Sequence, residues 1–230
     1  MPIFRLSKAI QFPPAHFANE DGLLCVGGDL CVKRLLLAYK NGIFPWFVEG
    51  EPILWWSPDP RLVLFPDNIN ISKSLKKKIK KKQYNVTIDN AFEKTILSCA
   101  KPRKKEENVG SWLGEQMIKA YIKLFEQGYA HSVETWYENE LVGGLYGVCL
   151  GGIFFGESMF SFKSDASKIA LVSLTNQLKK NNFDLIDCQL ATNHLFSMGA
   201  KMITRQSFLD KIKKSTSRKD IKKSCWESVY

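Results

Sequence analysis

The chain has 230 residues, enough for one or two domains and a substantial core. Its hydrophobic content of 45% and charged content of 24% suit a globular protein and exclude a disordered or fibrous one. The formal net charge of +10 favours a polyanionic partner, either nucleic acid or an anionic surface. No apolar run approaches the roughly 20 residues of a membrane span. The opening MPIFRLSKAIQFPPAHF lacks the continuous apolar core of a signal peptide. Cys25, Cys31, Cys99, Cys149, Cys188 and Cys225 form no C-x-x-C pair, and with three histidines no zinc spacing arises. The expectation is a cytoplasmic protein without structural disulfides, metal or cofactor.

Residues 1–62 hold most of the prolines and read as a small, irregular N-terminal domain. DLCVKRLLLAYKNG predicts a short helix, with Asp29 as N-cap, Leu35, Leu36 and Tyr39 turned inward, and Gly42 as the stop. The next stretch, NGIFPWFVEGEPILWWSPDPRLVLF, sets Phe44, Trp46, Phe47, Trp55 and Trp56 among Pro45, Pro52, Pro58 and Pro60. Prolines fix φ and remove donors, which argues against a long helix or a central strand here. Rings held this way either fill a core or present flat faces to a flat ligand such as a nucleobase.

From Arg61 the pattern becomes regular. RLVLF predicts a strand, and SKSLKKKIKKKQ a basic helix with Leu75 and Ile79 inward. YNVTID predicts a strand, and NAFEKTILSCA a helix whose apolar face includes Phe92, Ile96 and Leu97. A charged loop, KPRKKEENVGSW, leads to the amphipathic LGEQMIKAYIKLFEQG, with Met117, Ile118, Tyr121, Leu124 and Phe125 inward and Gly128 at its end. Three strands follow, AHSVETWYEN, ELVGGLYGVCLGG and IFFGESMFS, turning at residues 138–140 and 150–152. Gly143-Gly144 marks a bulge or a close backbone approach. SDASKIALVSLTNQLKKNN predicts a helix, FDLIDCQL a buried strand and TNHLFSMGA a short helix, before a last strand and a basic tail.

This order is an α+β layout with a mixed central sheet over 63–230. It resembles the GNAT acyltransferase fold, in which a meander ends beside the acyl donor and the next helix starts at the donor's phosphates.

Six segments sharpen the resemblance: GLLCVGGDL, AYKNGIFPWF, ILWWSPDPR, LVGGLYGVCLGGIFFGESMFS, DASKIAL and LIDCQLATNHLFSMGA. In this order and spacing they resemble the leucyl/phenylalanyl-tRNA–protein transferase family over residues 4–209. The resemblance implies transfer of Leu or Phe, with Met as a further donor, from aminoacyl-tRNA to proteins that begin with Arg or Lys. Their degradation by the N-degron route would follow. An acetyl-CoA-dependent N-acetyltransferase is the alternative on the same fold, but Ser164-Asp165-Ala166-Ser167-Lys168 lacks a glycine-rich pyrophosphate turn. A non-catalytic tRNA-binding module is the other alternative. The duplicated peptidoglycan-bridge transferases are too large for this chain.

Site residues follow by the same resemblance. Trp46 and Trp112 would hold the terminal adenine, with Tyr39 and Phe44 alongside, while Trp55, Trp56 and Phe47 read as core. Leu145, Phe154, Leu171, Leu174, Leu178 and Ile186 would form the amino-acid pocket. Leucine at 174 and 178, where the family runs to aromatic rings, would widen it. Lys73, Lys77, Lys80 and Lys81 would meet tRNA phosphates. Lys101-Arg103-Lys104-Lys105 and Lys211-Lys213-Lys214 are weaker candidates. Asp187, Gln189 and Glu157 are the catalytic candidates. Asp187 and Gln189, two apart on a strand, are expected on one side, with Cys188 on the other. The step is aminolysis of an ester, either with Asp187 acting through Gln189 on the amine or with the substrates oriented alone. His194, His16 and His131 read as structural. No oligomer signal stands out, so a monomer is expected.

Overall fold

A computed structural model of the protein describes residues 3–101, 113–218 and 226. The first strands, β1 (Phe4–Leu6) and β2 (Leu23–Gly27), run parallel. α1 (Val32–Lys40) starts later than Asp29 predicts, with Cys31 at the N-cap. Asp29 instead accepts the Cys31 N–H at 2.9 Å, closing a side-chain turn ahead of the helix, and pairs with Arg34 at 3.2 Å. Gly42, at φ +70, ends the helix as expected.

β3 (Phe44–Pro45) and β4 (Leu54–Trp56) complete a four-stranded sheet of order β1-β2-β4-β3. This small sheet departs from the expectation that the prolines exclude a central strand. β4 is paired on both sides, because the window at 53–57 between Pro52 and Pro58 leaves room for three ladder residues.

The elements after β4 come close to the expected order. They are β5 (Arg61–Leu64), α2 (Lys73–Lys80), β6 (Asn85–Ile88), α3 (Phe92–Ala100) and α4 (Glu115–Glu126). The meander β7 (Ala130–Tyr137), β8 (Glu140–Leu150) and β9 (Ile153–Ser161) follows, then α5 (Ala166–Lys180), β10 (Leu185–Gln189), α6 (Asn193–Ser197) and β11 (Lys201–Ile203). A closing helix, α7 (Arg205–Thr216), is additional, capped by Thr204, whose side chain accepts the Ser207 N–H.

The larger sheet has the order β11-β5-β10-β9-β8-β7-β6, with β9 and β10 parallel and every other pair antiparallel. The expected mixed sheet is borne out. Glu138 and Asn139 both take positive φ, which is the hairpin turn the sequence suggests. Gly143 lies against α5, where a Cβ would fall 2.5 Å from that of Ala166.

Alternation along the strands fills both faces of the sheet. Leu62, Leu64, Leu145 and Phe154 pack with α5 and Leu75 of α2. Val63, Tyr146 and Phe155 pack on the other face with Tyr39 of α1, Ile96 of α3, Tyr121 of α4 and Phe208 of α7. The second cluster also contains Leu24 and Trp55, so one core runs from the small sheet into the large one. Leu97 departs from expectation and is exposed. It lies about 100° round from Ile96, past the covered stripe of α3.

Candidate active site

Two bulges in adjacent strands build the site. The β8–β9 ladder pairs Tyr146 with Ser158 and then Gly147 with Gly156, so Glu157 is the extra residue. The β10–β5 ladder shifts between Asp187 and Gln189, with Cys188 left over. Gln189 sits at φ +59, left-handed backbone that is uncommon for glutamine. The simple alternation that would put Asp187 and Gln189 on one side is therefore interrupted. What the bulges achieve is a meeting across strands, where Gln189 Nε2 donates to Glu157 Oε1 at 3.0 Å.

Asp187 is fully buried and fully occupied. Arg61 Nε donates to Oδ1 at 2.8 Å and Arg61 Nη2 to Oδ2 at 2.7 Å, in a bidentate ion pair. The Gln189 N–H also donates to Oδ1, at 3.0 Å, which ties Asp187 to the bulge. The Arg61 guanidinium lies between the rings of Phe44 and Phe208, 4.7 and 4.8 Å from their centroids. Sequence reasoning missed Arg61. Its signal was an arginine heading an otherwise apolar strand, together with a buried aspartate in need of a partner.

Glu157 has no cation bonded to it among the described residues. Tyr39 Oη donates to its Oε1 at 2.8 Å and Tyr121 Oη to its Oε2 at 2.5 Å, and the two phenol oxygens are 2.7 Å apart. Burial raises the Glu157 carboxyl to about 7 and the nearby Asp187 charge adds to the rise, against the pull of the three donors. Burial and the charge of Glu157 push both tyrosine hydroxyls well up. Tyr121 carries a polar role that its place in an apolar helix stripe did not reveal.

The remaining aromatic residues divide clearly. Trp55 and Phe47 are buried, as the core reading has it, and Trp55 Nε1 donates to the Gly27 carbonyl at 2.9 Å. Trp46 is 41% exposed, set edge-on to Trp56 at 5.7 Å, and its carbonyl accepts the Trp56 Nε1–H at 2.7 Å. Tyr39 and Phe44 offer no ring face to solvent, because one is tied to Glu157 and the other lies under Arg61. Trp112, Arg103, Lys104 and Lys105 lie outside the described residues.

Two family models match this chain. The leucyl/phenylalanyl-tRNA protein transferase model matches residues 63–213, and that family's N-terminal domain matches residues 28–59. The chain belongs to this family. A leucyl/phenylalanyl-tRNA–protein transferase of Desulforapulum autotrophicum is 55% identical over 222 residues, 96% of this chain and 96% of that one. Its counterpart in Syntrophobacter fumaroxidans is 56% identical over 209 residues, 91% of this chain and 89% of that one. Among solved structures, L-PGS from Bacillus licheniformis is 16% identical, with 74% of this chain and 54% of that one covered and a TM-score of 0.40. A GCN5-related N-acetyltransferase from Kribbella flavida is 8% identical, with 77% and 62% covered and a TM-score of 0.37. Both structural likenesses are loose.

The six pocket candidates of this family member share one buried cluster, on the sheet face opposite Tyr39 and Tyr121. A cavity of about 180 Å³ lies beside them rather than among them, between α2, β6 and α5, lined by Lys78, Tyr84, Ile169 and Asn176. Lys73, Lys77, Lys80 and Lys81 are exposed, whereas Lys78 pairs with Asp165 at 2.6 Å. His131, read as structural, pairs with Asp89 at 2.7 Å and stacks on Trp226. Burial pushes the Cys188 thiol far up, which leaves it a poor nucleophile. Among the described residues no group of His, Cys, Asp or Glu is placed to hold a metal ion. No helix among them is long and apolar enough to cross a membrane.

Proposed function

We propose that the protein transfers Leu or Phe from aminoacyl-tRNA to the N-terminal amine of acceptor proteins that begin with Arg or Lys, marking them for N-degron degradation. The observation that carries this reading is the match of both parts of the chain to one transferase family. The hydrogen-bonded line from buried Arg61 and Asp187 to half-buried Gln189 and Glu157 supports it. Residues 1–62 then act as the aromatic part and 63–230 as the catalytic part of a monomer.

The reaction is aminolysis of an activated ester. An α-amine with a pKa of about 8 is mostly ammonium at neutral pH and must lose a proton before attack. Glu157, held near 7, is matched to take it. Gln189 uses its amide N–H on Glu157, which leaves its carbonyl oxygen to orient an amine. Asp187 is committed to Arg61 and sets the Gln189 backbone, so it acts as an orienting group rather than the base. An acceptor bearing two cationic groups is drawn to the Glu157 charge, which no cation answers among the described residues.

The donor's terminal adenine stacks on Trp46, with Trp112 as its second ring, at roughly 1–3 kcal/mol per stacked base. Phe44 and Tyr39, buried under Arg61 and against Glu157, leave the adenine to those two rings. Leu145, Phe154, Leu171, Leu174, Leu178 and Ile186 select a bulky apolar side chain by shape. Lys73, Lys77, Lys80 and Lys81 neutralise tRNA phosphates.

A transfer assay with radiolabelled Leu-, Phe-, Met- and Val-tRNA and model proteins beginning with Arg, Lys or Ala tests the reading. Label should pass from Leu- and Phe-tRNA to the Arg and Lys acceptors and not to Ala. Salt-sensitive tRNA binding without transfer would instead identify a binding module.

A further inference from the structure

We propose that Glu157, Tyr39 and Tyr121 form a closed hydrogen-bonded ring that stores one proton. The two tyrosines are then positioning residues, through which Glu157 accepts the proton released by the attacking amine. The inference rests on placing Glu157 in the reaction centre.

A proton count carries it. Three oxygen contacts join the three side chains: Tyr39 to Glu157 at 2.8 Å, Tyr121 to Glu157 at 2.5 Å and Tyr39 to Tyr121 at 2.7 Å. Each is a hydrogen-bond distance and requires one proton. With Glu157 ionised, only two hydroxyl protons serve the three contacts. If both point at the carboxylate, the phenol oxygens face each other lone pair to lone pair. One added proton closes the ring. Glu157 then donates to Tyr121, Tyr121 to Tyr39, and Tyr39 to Glu157 Oε1. Gln189 Nε2 occupies a further lone pair of Oε1, so the neutral form is fully bonded.

The surroundings hold this geometry. Both tyrosines are fully buried, and they come from α1 and α4. Phe155 packs on the Tyr39 ring at 5.0 Å and Tyr146 on the Tyr121 ring at 5.3 Å. Tyr146 of β8, packed on Tyr121, and Asp187 of β10 lie near enough to act on these groups electrostatically, as Cys99 of α3 does on Tyr146. Arg61 bonds to Asp187 and not to Glu157. Hydroxyls and one amide therefore meet the Glu157 charge, and the added proton is held by structure rather than displaced by a cation.

The reaction balances around this store. The acceptor arrives as an ammonium and gives one proton to the ring. The neutral amine attacks the ester carbonyl, a C–N bond forms, and the C–O bond to the terminal ribose breaks. The second N–H proton leaves on that ribose oxygen as an alcohol. Ammonium and ester thus become amide, alcohol and one stored proton, which returns to solvent after product leaves.

Infrared difference titration of the full chain without tRNA, referenced to Glu157→Gln, tests the ring. In the wild-type protein the carboxyl C=O band should titrate near pH 7, and the tyrosine C–O band should shift with the same midpoint. Tyr39→Phe, Tyr121→Phe and the double variant complete a cycle. The wild-type midpoint should lie roughly one pKa unit above the value the three variants add up to, because the phenol–phenol bond exists only when both hydroxyls are present. Additive midpoints, or a tyrosine band that ignores the carboxyl, overturn the ring, and the wild-type bands decide this even where a variant folds poorly. The acid limb of single-turnover transfer should follow the same midpoints. A limb that stays in place in both single variants overturns the positioning role. No substrate enters the infrared experiment, so its failure leaves the proposed transfer reaction standing.

Discussion

Asp187 and Glu157 stand on adjacent strands, β10 and β9, and each turns a carboxylate inward. Their partners differ in kind. Asp187 meets a guanidinium in a two-point fork, so its oxygens are fixed and its charge is answered. Glu157 meets two phenols and an amide, which bond to it without answering the charge. The first arrangement makes a rigid post and the second makes a group that exchanges a proton near neutral pH. Composition alone makes the two look alike; the difference lies in what the fold brings to each.

The comparison breaks first at Arg61. Arg61→Met should destabilise the protein by about 3–5 kcal/mol in urea unfolding, because it strands a buried carboxylate. Arg61→Met combined with Asp187→Leu should recover most of that stability, since an apolar pair no longer needs the ions. Transfer should remain low in the double variant, because the Asp187 oxygen that accepts the Gln189 N–H is gone. A loss below about 1 kcal/mol for Arg61→Met would show that Asp187 does not depend on the pair.

Glu157→Gln should act in the opposite sense, lowering transfer about 10²- to 10⁴-fold while leaving the fold intact. Its effect on stability depends on pH. The carboxyl is raised from 4.5 to about 7 in the folded protein, so the folded state holds this proton more tightly than the unfolded chain does. That contribution is fully present below 4.5 and is lost as pH rises through about 7. The variant carries no such loss. Relative to wild type it should gain up to about 3 kcal/mol between about pH 4 and pH 8, since each tenfold difference in proton affinity between the two states is worth about 1.4 kcal/mol. Urea midpoints at the two pH values check this, and equal differences at both would place Glu157 in a solvated setting like that of an exposed carboxylate.

Sequence reading reached this site unevenly, for physical reasons. Local signals served well, so the hairpin turn at residues 138–140, the lysine helix and the meander were all legible. The family motifs pointed to Glu157, Asp187 and Gln189, and these three meet in one hydrogen-bonded line. The bulges were not legible, because one extra residue in a ladder depends on the partner strand and leaves no local mark. Arg61 lies 126 residues from Asp187, and His131 42 residues from Asp89, separations over which no periodicity operates. Tyr121 counted as apolar in a helix stripe, a count that says nothing about where its hydroxyl ends.

The contrast between an answered and an unanswered charge recurs at the surface of α2, with smaller consequences. Lys78 turns to α5, 2.6 Å from Asp165 and 3.2 Å from the Ser164 carbonyl. Lys73, Lys77, Lys80 and Lys81 recur at i, i+4, i+7 and i+8, a single stripe opposite Leu75 and Ile79, with no ion pair among the described residues. If that stripe meets phosphates, each contact releases counterions, and the log–log slope of tRNA affinity against salt falls by about 0.7–0.9 for each contact removed. Lys77→Gln should therefore flatten the slope by that amount without moving the unfolding midpoint. Lys78→Gln should do the reverse, keeping the slope and costing under about 1 kcal/mol as a partly exposed pair is lost. Filter binding across a salt series gives the slopes. Equal slopes for Lys77→Gln and wild type would mean that an exposed, unpaired lysine on this face is only solvated, and would move the tRNA path elsewhere on the protein.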